Sequence, residues 1–450
     1  MEDRADSVSE PSLELLRNLP SRWQALRLRR LIMSAINGTT AEQLDLRESD
    51  SVAVTRIESI SRGKINWDRL GWVRASALLG RYKMLPGDVL FSHINSLSMV
   101  GNVAYYEHDR DLYVGVNLLR LRPQKGVCAK FLFWMLKSSF FRQQVESYAK
   151  PAINQASINT GTLAALICPV PPVSDQQRIA DFLDRETAEA DALVAKYKRL
   201  IELLEEKRVA LITQAVTKGL DPTVPMKDSG VEWIGRIPAR WEVGPIRRYY
   251  SVVDCKHVTV DFEDEGIPVV SVREVKSLNV TLDTANRTSE QWFNVMIGGG
   301  RLPRRGDVIF CRNVSPGTCS YVDSDERFAM GQDVCLIRSR KADAKYFNYV
   351  MRSNLMKTQI GLVLIGSTFN RINVSTIESL LLPEPGLEEQ MVIASWLDDR
   401  LCSLDFQSKK VRSAIRLVHE HRAALITAAV TGQVNINSYR SKDQPIEVPA

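Results

Sequence analysis

Two stretches of the chain carry apolar residues at steps of mostly three and four. In the first they are Ile179, Leu183, Ala190, Leu193, Tyr197, Leu200, Leu204 and Leu211. In the second they are Ile393, Leu397, Leu404, Val411, Ala414, Val418 and Leu425. That spacing puts each set on one face of a helix. Pro169, Pro171 and Pro172 precede the first helix, Ser174 or Asp175 suits its N-cap, and Gly219 is a natural stop with Pro222 beyond. A helix of about 45 residues is a rod of roughly 65–70 Å. A lone rod of that length leaves its apolar stripe uncovered, so the spacing predicts that the two helices pack together as a coiled coil. Glu186 and Lys207 interrupt the first stripe, and Arg400, Gln407 and His421 fall on the second. They predict imperfect seams or places where a partner helix docks.

The rest of the chain alternates short apolar runs with polar loops. Strands are expected at Ser51–Ile57, Asp88–Phe91, Leu112–Leu121, Ile267–Val272, Asp307–Cys311 and Val334–Ile337, and helices at Ala129–Tyr148 and Ala344–Ile360. Residues 20–160 and 238–375 therefore read as mixed α/β modules.

The chain repeats itself. Residues 169–217 align without a gap on 383–431, and 20 of the 49 positions are identical. Background identity would give about three. The repeat opens on Pro169 and Pro171 against Pro383 and Pro385, and closes on RVALITQAVT against RAALITAAVT. Looser matches precede it: LPSRW with IPARW, LPGDVLF with RRGDVIF, YVGVN with AMGQD, and SIN with RIN. The order is module, helix, module, helix, with alike helices and divergent modules. Copy against copy about a pseudo-twofold axis, the two helices would run antiparallel. The domain boundaries implied are 1–160, 161–222, 223–375 and 376–450.

Charge sharpens this picture. The 450 residues hold 59 Lys and Arg against 53 Asp and Glu, a net +6. The helical segments 174–219 and 388–432 are near neutral, so the whole surplus lies in the modules. Polar and basic loops join the strands, SRGKINW, SHINSLSMVGN, VREVKS and CRNVSPGTCS, whose Arg, Lys, Asn, His and Ser suit phosphate and base-edge contacts. Seven cysteines without a C-x-x-C argue against a disulfide framework or a zinc site. The acidic start MEDRADSVSEPSLELL is no secretory signal, and no run reaches the roughly 18 apolar residues of a membrane span. A cytoplasmic protein with no membrane partner is expected.

Catalytic motifs are absent. There is no G-x-x-x-x-G-K-[ST], no G-x-G-x-x-G and no Asn/Asp-Pro-Pro-aromatic motif. Acid-x-Lys tripeptides occur at Asp254–Lys256, Glu274–Lys276, Glu205–Lys207 and Asp343–Lys345, where residue frequencies alone give about two, too weak an excess to mark a nuclease site. His419 and His421 flank Glu420, but HEH is not H-E-x-x-H, and no metal site is expected.

Two repeated helical regions, each introduced by PVPPVSDQQRIADFLD or PEPGLEEQMVIASWLD and each ending in ALIT-x-AVT, closely resemble the specificity subunit of type I restriction–modification systems. The second lead-in departs slightly, with Gly386 and Glu-Glu-Gln. The resemblance covers nearly the whole chain. It implies two α/β target-recognition domains, each reading one half of a bipartite, asymmetric site in double-stranded DNA. The helices would act as spacer and docking surface for two methyltransferase subunits, and two motor–nuclease subunits would join them. S-adenosylmethionine, ATP and Mg²⁺ would serve those partners, and this chain would hold no cofactor and do no chemistry. Candidate DNA contacts are Arg62, Lys64, Asn66, His93 and Asn95 in the first module. In the second they are Lys256, Arg273, Lys276, Arg312 and Asn313. Rival readings are a stand-alone nuclease or methyltransferase, and a coiled-coil scaffold without a DNA role.

Overall fold

The computed structural model describes residues 16–61, 63–152, 155–365 and 371–436. Contacts divide the chain into two units, Met1–Tyr197 with Arg412–Ala450, and Lys198–Val411. The division runs through both long helices, Val173–Lys218 and Leu387–Val430. Each unit therefore holds one module, the N-terminal half of the helix that follows it, and the C-terminal half of the other helix.

The first unit is built on a four-stranded antiparallel sheet in the order Ile32–Asn37, Leu118–Pro123, Val89–Ser92 and Val103–Tyr105. The second repeats that order with Tyr250–Asp254, Val334–Ser339, Val308–Cys311 and Cys319–Tyr321. In each unit a helix pair follows the sheet: Ala129–Lys137 with Ser139–Tyr148, and Ala344–Arg352 with Asn354–Leu364. The periodicity reads each pair as one helix. Ser138 and Ser353 divide them, because each sits in extended backbone and its hydroxyl caps the next helix. A further strand pair ties each module's start to the lead-in of its own helix: Gln24–Arg27 with Ile167–Val170, and Glu242–Pro245 with Leu381–Glu384.

The modules diverge in what they add. The first carries the short pairs Ser51–Val54 with Gly71–Arg74, and Ile60–Ser61 with Lys64–Ile65. In the second, Ile267–Val270 pairs antiparallel with Asn286–Thr288 and parallel with Ala329–Met330, and the helix Glu290–Ile297 follows.

The long helices pack together as the apolar spacing predicts, but their seam differs from the stripe expected. On the first helix one line of buried and half-buried positions runs through Leu183, Thr187, Ala190, Val194, Tyr197, Ile201, Leu204, Arg208, Leu211 and Ala215. Their steps alternate strictly between four and three, a heptad. Leu193 is half-buried beside this line, and Leu200 is 40% exposed. The seam runs instead through Val194 and Ile201, one residue on. The second helix has the same seam 214 residues later: Leu397, Leu401, Leu404, Ser408, Val411, Ile415, Val418, Arg422, Leu425 and Ala429. Arg400, Gln407 and His421 are exposed and off it, and the polar seam positions are Thr187, Arg208, Ser408 and Arg422.

In the first unit Ile179, Ala180, Phe182 and Leu183 share a core with Phe131, Leu132 and Met135 of the module and with Leu425, Ile426, Ala429 and Val430 of the other helix. In the second unit Ile393, Ala394, Leu397, Leu401 and Leu404 share one with Tyr346, Phe347 and Val350 and with Leu204, Ile212, Ala215 and Val216. Within each unit the helix halves are thus antiparallel, and each module buries parts of both.

The residues shared by the two copies explain that docking. Gln176 accepts from the Cys128 amide at 3.0 Å and donates to the Pro171 carbonyl at 3.0 Å; Gln390 does the same with Asp343 at 2.7 Å and Pro385 at 2.8 Å. Asp184 takes Lys130 and the Trp134 indole, both at 2.9 Å, where Asp398 takes Lys345 at 3.0 Å and the Tyr349 hydroxyl. The threonine of each ALIT caps a module helix. Thr427 accepts from the Ser139 amide at 3.1 Å, and Thr213 from the Asn354 amide at 2.9 Å.

Candidate nucleic-acid interface

Each module holds its polar loops on the same frame. Asp88, before the first G-D-V strand, accepts from the Leu85 amide and pairs with Arg122, every contact at 2.7 Å. Asp307 accepts from the Arg304 amide at 2.9 Å and pairs with Arg338 at 2.9 and 2.8 Å. The loop after each strand is closed at its stem. Gly101 donates to the Ser92 carbonyl at 2.8 Å and Gly317 to the Cys311 carbonyl at 3.1 Å, both at positive φ that favours glycine. The matching SIN and RIN segments pin the loops from outside, through Ile158 N–H to the His93 carbonyl and Ile372 N–H to the Arg312 carbonyl, each 2.9 Å. Asn117 and Asp333, the last residues of YVGVN and AMGQD, both take left-handed backbone at φ 67° and 70°. Three of the four short matches thus converge at the base of the variable loops.

Nine of the ten candidate contacts fall into three groups. Lys64, Lys256, Arg273 and Lys276 are exposed, although Arg273 already donates to Asn286 at 3.1 Å. Asn66, Asn95 and Asn313 are half-buried and shape their loops. Asn66 accepts from the Asp68 amide, Asn95 joins Ser92 and the Ser96 amide, and Asn313 joins Asp333 and the Val314 amide. His93 and Arg312 are interior. Burial lowers the His93 pKa against a hydrogen bond with the Asn117 backbone. Arg312 is 4% exposed, pairs with Asp254 and donates to the Ile372 carbonyl at 3.2 Å. Side chains so placed hold their loop stems from the inside. Arg62 lies outside the described residues.

Asp254, Cys255 and His257 bring potential metal-ligand atoms within 4.8 Å of one another. The donor set fits a divalent ion poorly. Burial opposes ionisation of Asp254, yet Arg312 and His257 outweigh it and hold the carboxyl below its ordinary range, so its charge is already neutralised. Burial pushes the Cys255 thiol up to about 11, against the thiolate a metal needs. Sequence reasoning overlooked cations outside the loops, on the module helix pairs: Lys137 and Arg142, and Arg352 and Lys357. The signal was present, since SSFFRQQ (138–144) and SNLMKTQ (353–359) align with a cation at the same place in each.

One frame built twice, with unlike loops and a shared helical seam, defines a duplicated recognition subunit. The profile of the type I restriction modification DNA specificity domain matches residues 20–203 and 263–411, and the chain belongs to that family. It is 28% identical over 432 residues to the putative type I restriction enzyme MjaX specificity subunit of Methanocaldococcus jannaschii, covering 93% of this chain and 95% of that one. It is 25% identical over 428 residues to the type I restriction enzyme EcoKI specificity subunit of Escherichia coli strain K12, covering 90% and 87%. A solved chain from work on the complex assembly and conformational transition of the type I R-M system shares the fold, with a TM-score of 0.65 at 18% identity over 93% of this chain and 100% of that one. Membership makes this chain a specificity component and not the catalytic one. Among the described residues no helix is long and apolar enough to cross a membrane.

Proposed function

We propose that this chain reads DNA sequence for a cytoplasmic type I restriction–modification complex. Each module reads one half of a bipartite, asymmetric duplex site. The helical regions fix the spacer between the halves and dock two methyltransferase subunits, to which two motor–nuclease subunits attach. The partners would flip and methylate an adenine in each half-site with S-adenosylmethionine, and translocate with ATP and Mg²⁺. The observation that carries this reading is the twofold recurrence of one loop-bearing frame whose loops differ, since identical frames with unlike loops suit two unlike half-sites. Leu200, Leu203, Phe406 and Leu417 support the docking role: they are exposed apolar residues on the long helices, off the seam. The experiment is to map methylated adenines in DNA from cells expressing this chain with its methyltransferase partner. A two-part motif with a fixed gap is expected. A continuous or palindromic motif would overturn the reading.

A further inference from the structure

The two units share a cavity as well as a frame. In the first unit a cavity of about 310 Å³ is lined by Gly63, Gly101, Asn102, Leu136, Lys137 and Arg142, with Ile60 and Val103. In the second a cavity of about 740 Å³ is lined at the matching places by Gly317, Thr318, Cys319, Met351, Arg352 and Lys357. Both open where two polar loops meet the helix pair: SRGKINW and SHINSLSMVGN in one, VREVKS and CRNVSPGTCS in the other.

Positive charge outnumbers negative at both. Around the second cavity stand Arg208, Lys276, Arg352 and Lys357, against Glu205 and Asp405, which Arg208 already engages. Arg352 gives its Nη2 to the Ser277 and Cys319 carbonyls, and its Nε is buried with no partner among the described residues. Lys137 and Arg142 line the first, with Lys64 and Arg422 close to Lys137, against Glu146 on Arg142, Asp191 on Arg422 and Asp184. Burial, with Arg422 and Lys64 close by, pushes the Lys137 amine down to about 8. A surplus of like charge at one place favours an added anion.

We propose that each cavity grips a backbone phosphate of duplex DNA, with Lys137 and Lys64 in the first unit and Arg352, Lys276 and Lys357 in the second as its cations. The inference rests on the DNA-reading role proposed above and adds the residues that set the duplex's register against each module. DNA is favoured over an acidic protein partner because the loops that vary between the modules form the rim. Phosphate contacts fix position and carry no sequence information, which suits a site built alike in two modules that read different sequences.

The test uses the full chain assembled with its methyltransferase subunits and a mixed-sequence duplex of about 40 base pairs, titrated over a series of salt concentrations. Because Arg352 also braces two loop carbonyls, the decisive variant is the exposed pair Lys276→Gln with Lys357→Gln. Arg352→Met and Arg352→Lys are compared beside it. The pair should weaken binding about tenfold or more at low salt, lower the log–log salt slope by about 1, and leave unchanged the motif selected from a random duplex pool. Arg352→Lys should keep the slope that Arg352→Met loses. Unchanged affinity and slope in the double variant would overturn the proposal, as would lost assembly with DNA affinity intact, which would assign the cavity to a protein partner. A wild-type complex without salt-dependent duplex binding would instead sink the DNA-reading role itself.

Discussion

Arg422 donates to Asp191 at 2.6 Å across the two long helices, and both residues are identical in the other copy of the repeat. Moved 214 residues along, the pair becomes Arg208 with Asp405, which also meet, with the helices exchanged. In each unit the contact therefore fixes antiparallel register by one opposite-charge pair on a heptad seam. Asp191 and Asp405 are about half exposed, whereas the arginine side chains are 14% and 22% exposed. A double-mutant cycle on Asp191→Ala and Arg422→Ala should give a coupling of about 0.5–1 kcal/mol by urea unfolding, and Arg422→Ala alone should cost more than Asp191→Ala. Additive single variants would show that the pair adds nothing.

The heptad separates leucines that a three-or-four spacing treats alike. Leu204 is 9% exposed and Leu200 is 40% exposed. Leu204→Lys should destabilise by about 3 kcal/mol or more, because it buries a charge in the seam. Leu200→Lys should stay within about 0.5 kcal/mol of the parent. It should instead weaken association with the methyltransferase subunit, measured by analytical ultracentrifugation. Equal stability loss in both variants would contradict the seam described here.

The ALIT threonines should act locally. Thr213→Val removes the acceptor for the Asn354 amide, and Thr427→Val the one for the Ser139 amide. Each should cost about 1 kcal/mol. Hydrogen exchange should speed up at the start of the Asn354–Leu364 helix for the first and of the Ser139–Tyr148 helix for the second. Exchange unchanged at both helix starts would remove the threonines from this role.

Much of this was legible in the sequence. The 214-residue period, the helix lengths and the paired modules follow from identities and apolar spacing. The seam's phase did not, because Leu193 and Leu200 are as apolar as Val194 and Ile201. Two faces of a helix one residue apart are separated only by what packs on them. The roles of Gln176, Asp184 and Thr213 were also hidden, because their partners lie 48, 50 and 141 residues away in the chain. At the interface, His93 and Arg312 looked like loop residues yet lie inside, since pinning by Ile158 and Ile372 turns the loop stems inward. Composition places cations in loops, but only the fold shows that Lys137 and Arg352 stand behind them.

Stability should depend on pH through Glu384. Burial pushes its carboxyl up to about 7 from 4.5, opposed by a hydrogen bond from Gln390 and by Arg248, and its Oε2 is buried without a partner among the described residues. The folded state therefore binds this proton more tightly than the unfolded chain. The resulting stabilisation is full below pH 4.5 and is lost as pH rises through 7. Its size is of order 1–3 kcal/mol. Glu384→Gln should flatten this part of the stability curve between pH 5 and 8 and leave the protein more stable than the parent at pH 8. A variant less stable at pH 8 would show that the carboxylate is accommodated.

The central claim is that each module reads its own half of the target. Replacing residues 238–375 with the corresponding module of a relative, and sequencing the methylated adenines made by the assembled complex, tests it directly. The account predicts that one half of the motif changes while the other half and the gap stay as they were. A change in both halves, or in neither, would contradict it.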